Sequence, residues 1–420
     1  MKLAIILPPI YTMPPVSGGG IERLADTFCR LNETSAEPLE IVVFSRGNLE
    51  NAPKSDYIHT KFTYINVTRS EPLSNRFAAK LRGDSSGTRF DYLRGLIDEL
   101  KSADFDAILL EDCFEFAKYL SRFAKAIFLH AHHRFFDVEK AMCESGRSRR
   151  SARARFGSVT KFVFPSKFMC KMAIRLGVPQ KKTVILHDCV DVAEFDARRF
   201  SEIREEKRSK YRLGENDILG VFVGRLTPER GAVELVKAVS ETEYSASALK
   251  LLIVGSSEYG ADIRDEYRDQ LESAAPAVDF SDTSEQFSGK VIFIGSVKTT
   301  STARFLSRAD FAVVPSVADE PGGLPVLEAM ACGLPLIVSD SGALAEYVGD
   351  FAQKGGCRIV PRGLGYTASL SKAIDELAAE LHDSPKRKKE LSEAARECAL
   401  NFRAEKYYPE MRKILTDMEK

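Results

Sequence analysis

Two carboxylates frame a pair of glycines in the stretch Asp319-Glu320-Pro321-Gly322-Gly323-Leu324-Pro325-Val326-Leu327-Glu328. An apolar run over 311–315 stands before it, and a helical pattern over 324–331 follows. Pro325 suits a first helical turn and Gly333 a helix end. Glu320 then falls in the loop and Glu328 near the second turn. Each carboxylate can accept hydrogen bonds from ligand hydroxyls, one at either end. The backbone N–H groups of Gly322, Gly323 and Leu324 lie between them at a helix start, where they favour an anion. A sugar joined through a diphosphate to a ribose asks for this order of groups. The bare Glu-to-Glu spacing says little; the spacing together with the strand, the glycine pair and the helix says much more.

Three further stretches carry chemistry. Gly224-Arg225-Leu226-Thr227-Pro228-Glu229-Arg230-Gly231 follows an apolar strand pattern and puts two guanidiniums on one strand-to-helix loop. Guanidinium is planar, permanently charged and able to grip a phosphate with two N–H groups. Ser17-Gly18-Gly19-Gly20-Ile21-Glu22-Arg23 follows the first strand pattern and opens a helix, so Gly19 and Gly20 offer N–H groups to an anion. It matches neither the dinucleotide fingerprint nor the Walker loop. Phe128-Leu129-His130-Ala131-His132-His133-Arg134 ends a strand pattern with three of the six histidines. Adjacent histidines on extended chain point to opposite faces, and no Asp or Cys set is evident to complete a ligand shell, so no metal is expected.

These residues need a sheet to carry them. Short, continuous apolar runs fall at 2–7, 40–44, 106–111, 126–130, 161–164 and 183–186, and again at 218–224, 250–254, 290–294, 311–315, 335–339 and 358–360. Continuous rather than alternating runs fit strands buried on both faces of a parallel sheet. Helical patterns lie between them, as at 21–31, 90–100, 166–176 and 232–240. Six strands with helices, twice over, predict an α/β chain of two tandem Rossmann-like doubly wound domains, 1–195 and 196–403, followed by a helix over 404–420. The charged stretch 192–216 marks the break.

Composition narrows the class. A chain of 420 residues suggests two or three domains at about 150 residues each. Sixty basic residues balance sixty acidic ones, so no global basic excess points to nucleic acid. Eight cysteines stand singly without a CxxC pair, which argues for a reducing compartment and against a zinc site. No apolar run approaches ~18 residues, and the apolar start reads as a first strand rather than a signal peptide. A cytoplasmic protein is expected. The first 195 residues hold 29 Lys and Arg against 23 Asp and Glu, a net of +6. Much of the excess is Arg147, Arg149, Arg150, Arg153 and Arg155. Two readings of that stretch stay open: a solvated helix face, or a patch for an anionic acceptor or the inner face of the plasma membrane.

Together the motifs resemble those of the retaining family 4 glycosyltransferases with the two-domain type B fold, over essentially the whole chain. GGGIERLA looks like the family's N-terminal glycine loop, VFVGRLTPERG like its Gly-Arg-Leu-x3-Lys-Gly motif, and EPGGLPVLEAMACGLPLIVSD like its E-x7-E signature. VILHDCVDVAEF looks like its Pro-Asn-Gly-Val-Asp segment. The resemblance implies transfer from a nucleoside-diphosphate sugar, with uridine as the base, to a hydroxyl of a glycan, lipid-linked or protein-linked acceptor, in cell-surface polysaccharide or glycoconjugate assembly. It implies a donor held mainly by the second domain in an interdomain cleft, an acceptor-binding first domain, and a last helix crossing back onto the first domain. Glu328 would bind the ribose. Arg225 and Arg230 would neutralise the leaving diphosphate, helped by N–H groups of Gly19, Gly20 and Gly322 to Leu324. Glu320 would hold the donor sugar, and His132, with His130 as the alternative, would stand near the anomeric centre. Front-face attack would need neither a separate base nor a metal. Two departures stand out: Arg230 replaces the family's Lys, and Asp188-Cys189 replaces its Asn-Gly, read here as a change of turn. A phosphorylase or epimerase on the same fold, or a catalytically silent partner subunit, are the other readings.

Overall fold

The computed structural model describes residues 1–15, 19–47, 56–67, 88–133, 135–136, 156–201, 213–214, 216–244, 248–257, 266–274, 278–280, 290–298 and 301–418. The chain falls into two compact units, Met1–His187 with Ala404–Lys420, and Asp188–Arg403. The division lies at His187/Asp188, where the sequence reading puts it at 195/196.

Each unit is built on a parallel seven-stranded sheet. The first unit's strands are β1 (Lys2–Ile6), β2 (Glu40–Arg46), β3 (Thr60–Ile65), β4 (Phe105–Glu111), β5 (Ala124–His130), β6 (Lys161–Phe164) and β7 (Thr183–Ile185), in the order β3-β2-β1-β4-β5-β6-β7. The second unit's are β8 (Ile218–Val223), β9 (Leu249–Val254), β10 (Val278–Phe280), β11 (Val291–Gly295), β12 (Phe311–Val314), β13 (Leu336–Ser339) and β14 (Cys357–Val360), in the order β10-β11-β9-β8-β12-β13-β14. The chain reverses its winding between β1 and β4 in one sheet and between β8 and β12 in the other. Open α/β sheets bind ligands at the carboxyl ends of strands beside such a reversal. The sequence read six strands per domain. It missed β3 and β10, which lie at the outer edges of their sheets and lack the continuous apolar run of a central strand.

Central strands are buried as expected of parallel sheets. Leu3 to Ile6, Ala107 to Leu110 and Leu251 to Val254 are all essentially inaccessible. Helices cover both faces, and full burial of each large aliphatic side chain contributes about 1.5–3 kcal/mol. The last helix, Ala404–Thr416, belongs to the first unit, as the resemblance implied. Its Tyr408 ring packs at a tilt of 38° against Phe28 of the helix Gly20–Glu33, 5.1 Å between centroids, and the Tyr408 hydroxyl donates to Asn32 Oδ1 at 3.0 Å. None of the described helices is long and apolar enough to cross a membrane.

Candidate active site

The second unit brings two of the sequence-read residues into direct contact. Arg230 Nη1 donates to Glu320 Oε1 at 2.6 Å, and the Ser316 hydroxyl donates to the same oxygen at 2.5 Å. Arg230 ends the loop after β8, while Glu320 lies on the loop after β12, so the ion pair bridges the two strands of the winding reversal. Backbone bonds hold the loops together as well: the N–H groups of Val317 and Ala318 donate to the Glu229 carbonyl at 2.9 and 3.2 Å. Gly231 makes this possible. Its φ is +70°, and a Cβ there would fall 2.0 Å from the Pro315 carbonyl oxygen. The Glu229 carboxyl is held below its ordinary range, chiefly by its own backbone N–H, with the Thr227 hydroxyl and the charges of Arg225 and Arg230 adding to that.

Arg362, which the sequence did not single out, pins the loop that carries Glu320. It donates to the Val317 carbonyl at 2.8 Å, to Asp319 Oδ1 at 2.7 Å and to Asp340 Oδ1 at 3.0 Å. From the far side, the Ala343 N–H donates to the Glu320 carbonyl at 2.8 Å.

The helix Leu324–Ala331 begins after Gly323, with Pro325 in its first turn, and Glu328 is buried on its second turn. The Gly323 N–H, expected to await a ligand anion, donates to Asp188 Oδ2 at 3.0 Å. Asp188 is therefore more than a change of turn: it places a carboxylate at this helix start. The glycine pair admits it, because a Cβ on Gly322 would lie 2.0 Å from Asp188 Oδ2 and one on Gly323 would enter the Tyr347 ring. The Asp188 N–H donates to the Tyr347 hydroxyl at 2.9 Å.

In the first unit, Gly19 and Gly20 lead into the helix Gly20–Glu33, whose first turn carries Glu22. The histidines meet a partner that the sequence reading overlooked. Glu111 ends β4 and stands in register with His130 at the end of β5. Glu111 Oε2 accepts from His132 Nε2 at 2.9 Å. His130 Nδ1 lies 3.0 Å from the same oxygen but off the hydrogen-bond axis, and neither ring nitrogen of His130 has a hydrogen-bond partner among the described residues. The two rings lie 4.2 Å apart. The argument that neighbouring histidines diverge applies to His132 and His133; His130 and His132 are two residues apart and share a face. One ligand atom from each of Glu111, His130 and His132 lies within 4.8 Å of the others, a grouping that could hold an ion. The sequence reading looked for an Asp or Cys set beside these histidines and did not weigh Glu111, which the structure brings to them.

Asp112 sits at φ 55° and uses both carboxylate oxygens on the next loop, accepting from the N–H of His132 at 2.9 Å and of His133 at 3.1 Å. Burial would raise the Glu111 carboxyl, but the charges of His130 and His132 and the hydrogen bond from His132 outweigh it and hold it down at about 2. Glu22 is the opposite case. Burial pushes it up to about 7, against the pull of its own backbone N–H and of His132.

Arg225 shares the loop of Arg230. Arg147, Arg149, Arg150, Arg153 and Arg155 lie outside the described residues. Among the residues that sequence reasoning missed, Glu111 had a legible signal: an acidic residue closing an otherwise apolar strand next to a histidine-ended one. Ser316 and Arg362 had none.

Comparison with known proteins bears on the fold. Residues 203–398 match the family described as glycosyl transferases group 1. An uncharacterized glycosyltransferase of Methanocaldococcus jannaschii is 31% identical over 170 residues, which span 40% of this chain and 39% of that protein. Sucrose-phosphate synthase of Thermosynechococcus elongatus superposes with a TM-score of 0.72 at 18% identity over 98% of each chain. HepE of Anabaena, solved in complex with UDP and glucose, superposes with a TM-score of 0.67 at 14% identity over 99% of each. The chain thus has the type B glycosyltransferase fold, and residues 203–398 of its second unit are similar to the glycosyl transferases group 1.

Proposed function

We propose that the protein is a retaining glycosyltransferase that moves a sugar from a nucleoside-diphosphate donor, with uridine as the base, to a hydroxyl of a glycan, lipid-linked or protein-linked acceptor. The observation that carries the reading is the Arg230–Glu320 pair, which sets a cation for the diphosphate against a carboxylate for sugar hydroxyls. Glu328 binds the ribose hydroxyls from the helix that begins at Gly323. Arg225 and Arg230 stabilise the charge that grows on the departing diphosphate, which is where a preorganised cation contributes most to rate. In the first unit, the Gly19–Gly20 loop and His132 serve the phosphate and the transferred sugar.

Two permanent cations do the work that a divalent ion would otherwise do, so the proposed reaction needs no metal. Donor hydrolysis and transfer are expected to survive EDTA. The test is a panel of nucleotide sugars, each assayed for hydrolysis with and without chelator, then with polyprenol-linked and glycan acceptors, and with product anomers read by NMR. Loss of turnover in EDTA with recovery on Mg²⁺ or Mn²⁺ would contradict the arginine-based mechanism. Phosphorolysis of a glycan without any use of a nucleotide sugar would replace the reading altogether.

A further inference from the structure

We propose that Glu111 is a positioning residue for His132, fixing its imidazole as the Nε2–H tautomer so that the acceptor lone pair sits on Nδ1. The inference rests on the reading above that His132 acts on the transferred sugar.

The chemistry follows from donor and acceptor roles. An ionised carboxylate can only accept, so the nitrogen 2.9 Å from Glu111 Oε2 must carry the proton. In a neutral imidazole the lone pair is then on the other nitrogen. The ring is held at one nitrogen and the residue at its backbone: Glu111 takes Nε2, and Asp112 Oδ1 takes the backbone N–H at 2.9 Å. His130 packs against the His132 ring at 4.2 Å and brings its Nδ1 to 3.0 Å from the shared oxygen. Glu111, His130 and His132 are 3%, 1% and 6% exposed, so water offers little competition for these contacts. Glu22 and Cys29 from the helix Gly20–Glu33, and Asp112 and His133 from the loops after β4 and β5, are ionisable groups around the cluster.

The experiment is two-bond ¹⁵N–¹H correlation of histidine-labelled full-length protein, with the His132 signal assigned by its loss in His132→Gln. The wild type should show His132 as the Nε2–H tautomer at neutral pH, a result that needs no variant to fold. Glu111→Gln keeps the shape but can turn its amide to donate, so the tautomers should mix. Its kcat should fall about 10- to 100-fold with donor KM unchanged, and Glu111→Gln should cost nothing further in a His132→Ala background. An Nδ1–H tautomer in the wild type, a doubly protonated imidazolium at neutral pH, or an unchanged signal and kcat in Glu111→Gln, overturns the proposal. So does one equivalent of transition metal in the purified protein that disappears in Glu111→Gln, which would make the cluster a metal centre. Full transfer activity in His132→Ala, with the tautomer as stated, sinks instead the underlying reading of His132 and with it the catalytic consequence.

Discussion

Glu320 Oε1 receives two donors, Arg230 and Ser316, so neither charge of the pair can be changed in isolation. Arg230→Ala removes a phosphate ligand and should weaken nucleoside-diphosphate binding about 10- to 100-fold, the range for a charge-assisted hydrogen bond. Glu320→Ala releases the guanidinium from its partner. Affinity for the free diphosphate should hold or rise, while transfer falls by two or more orders of magnitude. Calorimetry on both single variants and the double variant should show coupling of roughly 1–3 kcal/mol; additive effects would mean that the pair does not act as a unit. Glu22 makes a separate prediction. Its carboxyl stays protonated up to about 7 in the folded chain but ionises near the ordinary range once unfolded. The native state therefore holds the extra proton between these values, and stability falls as pH rises through that window. Glu22→Gln should match the wild type near pH 5 and exceed it by on the order of 3 kcal/mol above pH 7, read as a difference in Tm that opens with pH. Arg230 and Glu320 were each visible in the sequence, but not their contact, because 90 residues separate them. Glu111 went unread for a similar reason: its partner lies across a strand register, which no single stretch of sequence displays.

Central strands announce themselves because burial on both faces demands an unbroken apolar run, as in Leu3 to Ile6. Edge strands face that demand on one side only. Thr60–Ile65, with the sequence TKFTYI, looks like loop for that reason. The turns between elements are less legible than the elements, since a loop's meaning depends on what approaches it. Gly231 shows this: its left-handed conformation matters because the Pro315 carbonyl lies where a side chain would go. Gly231→Ala should cost about 1–3 kcal/mol and weaken diphosphate binding, because Arg230 is the residue before it. Gly349, inside the helix Leu344–Gln353, is a matched control. Nothing lies within 4 Å of its added Cβ, so Gly349→Ala should stabilise by about 0.5–1 kcal/mol and leave binding unchanged. Thermal melts of the two variants side by side test the argument; equal losses would refute it.

The first unit is interrupted in sequence by the whole of the second and is completed only by its closing helix. That helix contributes Tyr407, Tyr408, Met411 and Leu415, all buried. At about 1.5–3 kcal/mol for each large buried side chain, their loss is comparable with the ~5–15 kcal/mol that keeps a domain folded. Truncation after Arg403 should leave the first unit open to protease while the second unit resists it and still binds nucleoside diphosphate. Equal protection of both units would show that the closing helix is dispensable. The second unit's ends are joined where they enter and leave, since the Val190 N–H donates to the Phe402 carbonyl at 2.9 Å. A nascent chain leaving the ribosome therefore meets an unusual order of events. The unit begun first must wait, unfinished, until the helix Ala404–Thr416 has emerged, while the inserted one is synthesised whole before it and can close on itself. During that interval the Phe28 face of the helix Gly20–Glu33 has no cover, which makes it the surface where a chaperone would have reason to bind.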